Sequence, residues 1–347
     1  MIGAMMLVAV LGDPAGARPT CAVIAAAVPA AWHCVQTSGG LIVAKGRERA
    51  DALAALATQG ETRFRTAFDR SAPSYAVIEM IDGRVDPALD ALLARKGVVW
   101  RLPWLSETDM AEGYRGSIRR AVTAKAESLK FDAARTAAMV EAALAQQADR
   151  LSPEALRRKE AAALPHELGH GWFINSYWPK AEVRVSDHYG GPAPDWMDET
   201  AAVMMEDDAT AATRRARFAE IYRGGDADAK AKLIDLSTFL SGGHPALPKI
   251  ALPKDGARVQ VLTGDEGARV AAAASGFYLQ ARLFADYVGA RSGRRDAFRS
   301  VAEAFAKGQT TAQWLADSGT RSGLPTTVAG VQQDWERWLA ERFAARG

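Results

Sequence analysis

Residues 164–175 read LPHELGHGWFIN, and the five residues from His166 to His170 follow the pattern H-E-x-x-H. In an α-helix, residues four apart lie on one face, so His166 and His170 can bind the same metal ion while Glu167 lies beside it. The whole chain has only five histidines, so this pattern is not expected by chance. The stretch predicts a helix that carries a metal site. Pro165 predicts that this helix either begins or is kinked at that point.

A metal site of this kind needs a third ligand, because a catalytic zinc typically has three protein ligands and one open position. The strongest candidate is Glu199 in the stretch PDWMDETAAVMMED. Residues 194–195 (Pro-Asp) predict a helix start, and a second helix crossing the first could present Glu199 to both histidines. Asp187 and His188, in the loop-like SDHYGG, are the alternatives. The form HExxHxxGxxH is excluded because Ser176 stands at its last position.

HELGHGWFIN and the downstream WMDETAA together resemble the gluzincin zinc metallopeptidases. They are most similar to the aminopeptidase-type branch, which has HELAHQWFGN and WLNEGFA. The resemblance implies one Zn²⁺ per chain, bound by His166, His170 and Glu199, and it implies that Glu167 is the general base. It also implies a peptide or protein as the substrate.

A looser similarity extends over residues 275–347, where Tyr278 begins the sequence Tyr-Leu-Gln-Ala. The family has a similar Tyr at the start of a later helix, which implies that Tyr278 stabilises the oxyanion formed during hydrolysis. His188 and His244 are alternatives for that role. Asp198 stands where the family often has Asn, so the resemblance implies that it contacts a metal ligand. The family's Gly-x-Met-Glu-Asn motif for a free substrate amine is absent, so specificity for amino ends is not implied.

Composition limits the class of protein. The chain has 347 residues, with 43 basic and 41 acidic side chains, and this length suggests two lobes or one large domain. Hydrophobic residues make up 48% and charged residues 24%, which excludes a wholly disordered chain, a collagen-like chain and a disulfide scaffold. The near balance of charge argues against nucleic acid as the main partner. No stable membrane span is expected, and the oligomeric state is not predicted.

The order of predicted elements favours an α+β fold. A hairpin is predicted around residues 38–40, strands are predicted in SYAVIEMIDG and GVVWRLPWL, and one long helix is predicted over residues 117–149. This order fits an N-terminal α/β lobe over residues 35–210, which carries the H-E-x-x-H helix, and a mainly helical C-terminal lobe over residues 211–347. The resemblance implies that this is the zincin-like bilobal metallopeptidase fold. The strand at 97–102 could bind an extended peptide along its edge, as in related enzymes.

The N-terminus is typical of an exported protein. An apolar run too short to span a bilayer is followed by an A-x-A pattern, which predicts a signal peptide over residues 1–17. A second interpretation takes CAVIAAAV as the apolar segment and places the cleavage near residue 30. The first keeps Cys21 and Cys34 together, able to form a disulfide in an oxidising compartment, whereas the second removes Cys21. We therefore expect a periplasmic or secreted protein.

These features predict a zinc-dependent metallopeptidase in which Glu167 accepts a proton from an activated water molecule. Two alternatives use the same residues: a zinc hydrolase of a non-peptide bond, and a catalytically silent, zinc-stabilised binding or assembly protein. The presence of Glu167 favours an enzyme, because a purely structural metal site needs no general base. Cleavage inside a peptide and cleavage at its ends are not distinguished.

Overall fold

The computed structural model describes residues 19–179, 191–224, 226–245 and 264–343. Within these residues the protein has a mixed α+β fold with a four-stranded sheet, which confirms the predicted class. None of the described helices is both long enough and apolar enough to cross a membrane. The predicted signal peptide lies outside the described residues, and so do Asp187 and His188.

Strands and helices are interspersed up to residue 104, and the regular elements after that point in the described ranges are all helical. The strands are β1 (Trp32–Gln36), β2 (Gly40–Lys45), β3 (Tyr75–Glu79) and β4 (Trp100–Trp104). The helices are α1 (Cys21–Ile24), α2 (Arg47–Phe68), α3 (Pro87–Arg95), α4 (Glu107–Ser128), α5 (Ala133–Gln146), α6 (Pro153–Tyr177), α7 (Asp195–Met205), α8 (Asp208–Gly224), α9 (Ala227–Ile234), α10 (Leu236–Ser241), α11 (Gly264–Ser292), α12 (Ala297–Ala306), α13 (Thr311–Ser318) and α14 (Val328–Phe343).

The sheet has the strand order β1-β2-β3-β4. The predicted hairpin forms between the antiparallel strands β1 and β2, while β2, β3 and β4 run parallel. Parallel neighbours need a crossover connection, and α2 and α3 provide the two crossovers. Ile42 of β2 packs in the same core cluster as α2, whereas Val43 packs with α3. The central strands are therefore buried on both faces, which explains their unbroken apolar sequences.

The N-terminal helix α1 is fixed to the sheet by a disulfide between Cys21 and Cys34. Cys34 belongs to β1, an edge strand of the sheet. Ile24 of α1 is fully buried, in the cluster that also contains Leu41 and Val43 of β2. The two cysteines that the sequence left undecided are therefore paired, and α1 covers one face of the sheet.

The last strand begins later than predicted. The sequence predicts a strand from residue 97, but β4 starts at Trp100. Gly97 has a φ of 78°, in the left-handed region that favours glycine, and the amide of Val98 donates to the carbonyl of Leu93. Residues 97–99 thus end the turn after α3. β4 is an edge strand, and Pro103 lies within it, where a missing backbone N–H is tolerated.

The single long helix predicted over residues 117–149 is wrong, because two helices, α4 and α5, meet there. Lys130 between them has a φ of 55°. The Asp132 side chain accepts a hydrogen bond from the backbone N–H of Arg135 at 2.7 Å, which caps the new helix. The break contains neither Gly nor Pro, and the apolar periodicity continues across it. The sequence pattern therefore does not indicate that the helix is interrupted.

Helix α6 is central to the fold and passes through Pro165 without ending. It begins at Pro153, where Ser152 accepts a hydrogen bond from the N–H of Ala155 at 3.2 Å. It packs against α2, β4 and α7, and α7 in turn packs against α11. One hydrophobic cluster runs from the sheet to the last helix. The boundary predicted near residue 210 falls within the first turn of α8, and the division into two lobes stays a prediction.

A buried ionic network fixes α6 to the sheet. The Arg49 side chain, on α2, is 12% exposed and donates to both oxygens of Glu160 on α6, one of them at 2.5 Å. Arg49 also donates to Glu79 of β3 at 3.3 Å, and the Trp104 indole N–H donates to Glu160 at 2.7 Å. The network therefore sets the position of α6 six residues before its first histidine.

We expect Glu160→Ala to lower the free energy of unfolding by about 3–5 kcal/mol, because it leaves the Arg49 charge buried without its main partner. Glu154→Ala is the matched control on the same helix. Its side chain is 83% exposed and forms a surface ion pair with Arg158, so its effect should stay within about 0.5 kcal/mol. Urea unfolding curves measure both values. Equal small effects would show that the network contributes little.

Candidate metal centre

The candidate site depends on a close crossing of α6 and α7. A Cβ atom built on Gly169 would lie only 2.9 Å from the Cα of Ala202, so a side chain at this position would push the helices apart. His166 and His170 flank Gly169 on α6, and Glu199 lies nearly one turn before Ala202 on α7. The crossing therefore brings the predicted third ligand to the two histidines.

The three side chains approach one another at the separations of a tetrahedral metal site. The Nε2 atoms of His166 and His170 are 3.3 Å apart, and they lie 3.6 and 3.7 Å from the two Glu199 oxygens. Ligands at 2.0–2.1 Å from a tetrahedral zinc are about 3.3 Å apart. Glu199 is 1% exposed, and neither of its oxygens has a hydrogen-bond partner among the described residues. This buried cluster could bind a metal ion.

Each histidine has a carboxylate next to its other ring nitrogen. The Nδ1 of His166 is 3.0 Å from Glu206, and the Nδ1 of His170 is 3.0 Å from Asp198. A carboxylate at Nδ1 holds the proton there and leaves the Nε2 lone pair for a metal. Asp198 is the residue that the resemblance implied at this place, and it is 1% exposed.

Glu206 was not found from the sequence. It lies between α7 and α8 and is 1% exposed, and Arg214 of α8 donates from Nε to its Oε2 at 2.6 Å. Burial raises the pKa of Glu206, but hydrogen bonds from His166 and Arg214 outweigh burial and hold it below the usual range. A signal existed: Glu206 follows Glu199 by seven residues, or about two helical turns, so both acids lie on the same side.

His244 lies beside the third ligand. Its imidazole is fully buried, with Nε2 3.4 Å from Oε1 of Glu199. The backbone N–H of His244 donates to Asp195, in the first turn of α7, at 2.5 Å. Burial lowers the pKa of His244 to about 3, with a further contribution from His170. A neutral imidazole is thus placed against Glu199, in a position that sequence reasoning did not specify.

Tyr278 of α11 also reaches the site. Its ring centre is 5.7 Å from that of His166 and 5.7 Å from that of His244. The Arg214 guanidinium lies 5.3 Å from the same ring. Two of the three candidates for the oxyanion role, Tyr278 and His244, therefore lie next to the candidate ligands. The third, His188, lies outside the described residues, as does the alternative ligand Asp187.

Burial and neighbouring charges shift the pKa values of two candidate ligands, Glu199 and His170. Burial raises the pKa of Glu199 to about 7, and the positive charges of His170 and His166 lower it only in part. Burial lowers the pKa of His170, but Asp198 and Glu199 outweigh this and raise it to about 10. The charge of Glu167, which is half-buried beside His166, raises both values further. Without a metal, the site therefore retains protons near neutral pH.

We expect metal affinity to rise with pH, because Glu199 and His170 must lose their protons before they can bind a cation. Their pKa values of about 7 and about 10 in the metal-free protein place this dependence around and above neutral pH. Zinc titration against a chromophoric chelator at about pH 6 and about pH 8 measures it. Proton release on zinc addition gives a second readout. An affinity independent of pH would contradict this description of the site.

We expect Glu206→Gln to weaken metal binding by about 10–100-fold, because it removes the negative charge that orients His166. Glutamine keeps the shape and an acceptor for Arg214. The matched control is Glu220→Gln on α8, whose side chain is 67% exposed. The same chelator titration compares the two variants, and circular dichroism shows whether each is folded. Unchanged affinity in a folded Glu206→Gln protein would show that Glu206 does not support the ligand.

Comparison with known proteins assigns no family to this arrangement. No protein-family model matches the chain, and no curated protein or solved structure matches it either. Among the described residues, His166, His170 and Glu199 form a buried cluster that could bind a metal ion.

Proposed function

We propose that this protein is a zinc-dependent metallopeptidase of gluzincin type. The observation that supports this most is the tetrahedral spacing of the His166, His170 and Glu199 ligand atoms, with Glu167 next to the first of them. Two imidazoles and one carboxylate are a ligand set typical of catalytic zinc, which leaves a fourth position open. Structural zinc sites usually have four ligands and are rich in Cys.

The proposed reaction assigns a role to each residue. Bound zinc would supply an activated water molecule and polarise the scissile carbonyl. Glu167 accepts the proton of the water and returns it to the leaving amine. Tyr278 or His244 donates a hydrogen bond to the carbonyl oxygen as it gains negative charge. Glu206 and Asp198 orient the two histidines throughout.

We also propose that the protein has the zincin-like bilobal fold and that it is exported to the periplasm or secreted. α6 packs on α2 and β4 of the sheet part, whereas α7 packs on α11 of the helical part. A site between these parts supports the zincin-like bilobal arrangement. The disulfide between Cys21 and Cys34 supports export, because such bonds persist in oxidising compartments. It also favours cleavage after residue 17 over cleavage near residue 30, which would remove Cys21.

We expect Glu167→Gln to lower peptide hydrolysis by about 10²–10⁴-fold with zinc content unchanged, because glutamine keeps the shape but cannot accept the proton. The measurement combines metal analysis with turnover of a mixed peptide library. Glu199→Ala is the contrasting variant and should lose zinc itself. A Glu167→Gln protein as active as the wild type would rule out the mechanism.

The alternative functions give different results in the same assay. A zinc-stabilised binding protein would hold metal through His166, His170 and Glu199 but would cleave no peptide in wild-type form. A hydrolase of non-peptide bonds would also leave the peptide library intact, yet would turn over ester or amide model substrates in a manner that requires Glu167. Zinc-dependent cleavage of peptides by the wild-type protein is the result that supports the proposal.

We expect Tyr278→Phe to lower kcat by about 10²–10³-fold with little change in KM or zinc content, if the hydroxyl stabilises the oxyanion. The ring stays, so its packing against His166 and His244 should survive. A tyrosine that only anchors α11 would instead lose about 1 kcal/mol of stability and keep kcat. Steady-state kinetics and Tm on this one variant separate the two roles.

A further inference from the structure

A cleft rich in arginine lies apart from the metal ligands, among α2, α8, α11, α12 and the end of α14. Its volume is about 540 Å³, which is in the range of small-molecule sites. The arginines that line it are Arg63, Arg215, Arg282, Arg294, Arg295 and Arg342. None of the residues assigned to the metal centre lines this cleft.

The positive charge of the cleft exceeds its negative charge. Among the described residues that line it, only Asp208 and Asp286 are acidic, and Arg294 is paired with Asp296 at 2.7 Å just outside the lining, which leaves an excess of three positive charges. The whole chain has a formal net charge of only +2, so the excess is local. Asp208 is exposed and lies 3.2 Å from Arg63.

One carboxylate is shared among three of the arginines. Asp286 accepts hydrogen bonds from Arg215 at 2.5 and 2.8 Å and from Arg282 at 2.8 Å, and it lies 3.9 Å from Arg342. A single negative charge therefore serves three cations. Arg295 is exposed and forms no ion pair with another residue of the described ranges.

The guanidinium of Arg282 is only partly compensated by negative charge. Its side chain is 12% exposed, and its Nε has no hydrogen-bond partner among the described residues. Burial lowers the pKa of the Arg282 guanidinium, and the neighbouring Arg215 charge lowers it further despite Asp286. Additional negative charge in the cleft would stabilise this group, because opposite charges attract more strongly where water is partly excluded.

We propose that this cleft binds a small phosphorylated molecule. A phosphate group carries up to two negative charges and several acceptor oxygens, and the planar guanidinium of arginine matches its geometry. Arg295 is exposed and the side chains of Arg63 and Arg215 are 31% and 36% exposed, so all three are accessible to a ligand, whereas Arg282 is largely buried. A cleft of about 540 Å³ is of the size that takes a small molecule.

Calorimetric titration with inorganic phosphate tests the proposal, at an ionic strength held constant with sodium chloride. We expect saturable binding to one site per chain. Arg63→Gln and Arg295→Gln should each weaken it by roughly tenfold, since each removes a charge-assisted hydrogen bond. Arg119→Gln is the matched control. It removes the same charge from α4, where the Arg119 side chain is 50% exposed and far from the cleft in sequence.

A second variant separates this cleft from the metal centre. His170→Ala removes a metal ligand and should leave phosphate binding unchanged. Binding lost in His170→Ala but kept in Arg63→Gln would overturn the proposal, as would no saturable binding up to about 10 mM phosphate. An equal loss in Arg119→Gln would show a general charge effect and overturn it too.

Vesicles of phosphatidylglycerol test whether the phosphate group belongs to a free small molecule or to a lipid headgroup. A small-molecule site should bind free phosphate and should not carry the protein to the vesicles in co-sedimentation. Vesicle binding that requires Arg63 and Arg295, without binding of free phosphate, would replace the small molecule by a membrane surface and overturn the proposal.

Discussion

The contact between Gly169 and Ala202 is the constraint on which the candidate metal site depends. Metal ligands must be placed within about 0.2 Å of their ideal positions, and here the candidate ligands come from two helices that are separate in sequence. With no side chain at 169, the backbones approach closely enough for Glu199 to face both histidines. α6 is held from the opposite direction as well, because a Cβ on Gly171 would overlap the Trp100 ring of β4 at 2.3 Å. The position of the helix is thus fixed on two sides.

The charges around the site form a single balanced group. Asp198, Glu199 and Glu206 are each 1% exposed, and burying three carboxylates is costly unless each has a partner. Arg214 neutralises Glu206, and the histidines partly neutralise the other two. A bound dication would offset the remaining negative charge, which explains why so many acids can converge here. The same acids that orient the ligands therefore also favour occupation by a cation.

The sequence predicts the parts of the site that depend on local spacing. His166, Glu167 and His170 are fixed by one helical turn, and Glu199 follows from the helix start at residues 194–195. The contact that positions His244 was not predicted, because it acts over a longer distance: Asp195 accepts a hydrogen bond from the backbone N–H of His244, which is 49 positions away. Hydrophobic periodicity in the sequence does not indicate such a contact, because the contact arises only when α10 packs against the helices around the site. The break at Lys130 was missed for a related reason, because the turn is held by an Asp cap and not by Gly or Pro.

The disulfide between Cys21 and Cys34 makes the attachment of α1 to the sheet depend on redox conditions. Cys34 lies in β1, an edge strand, so the covalent link joins α1 to the border of the sheet. The linkage spans 13 positions and holds α1, with its buried Ile24, against the strands. With the thiols reduced, α1 would be held over this face of the sheet only by its packing, and the apolar cluster beneath it would be easier to expose. The linkage therefore protects this apolar face where cysteines oxidise.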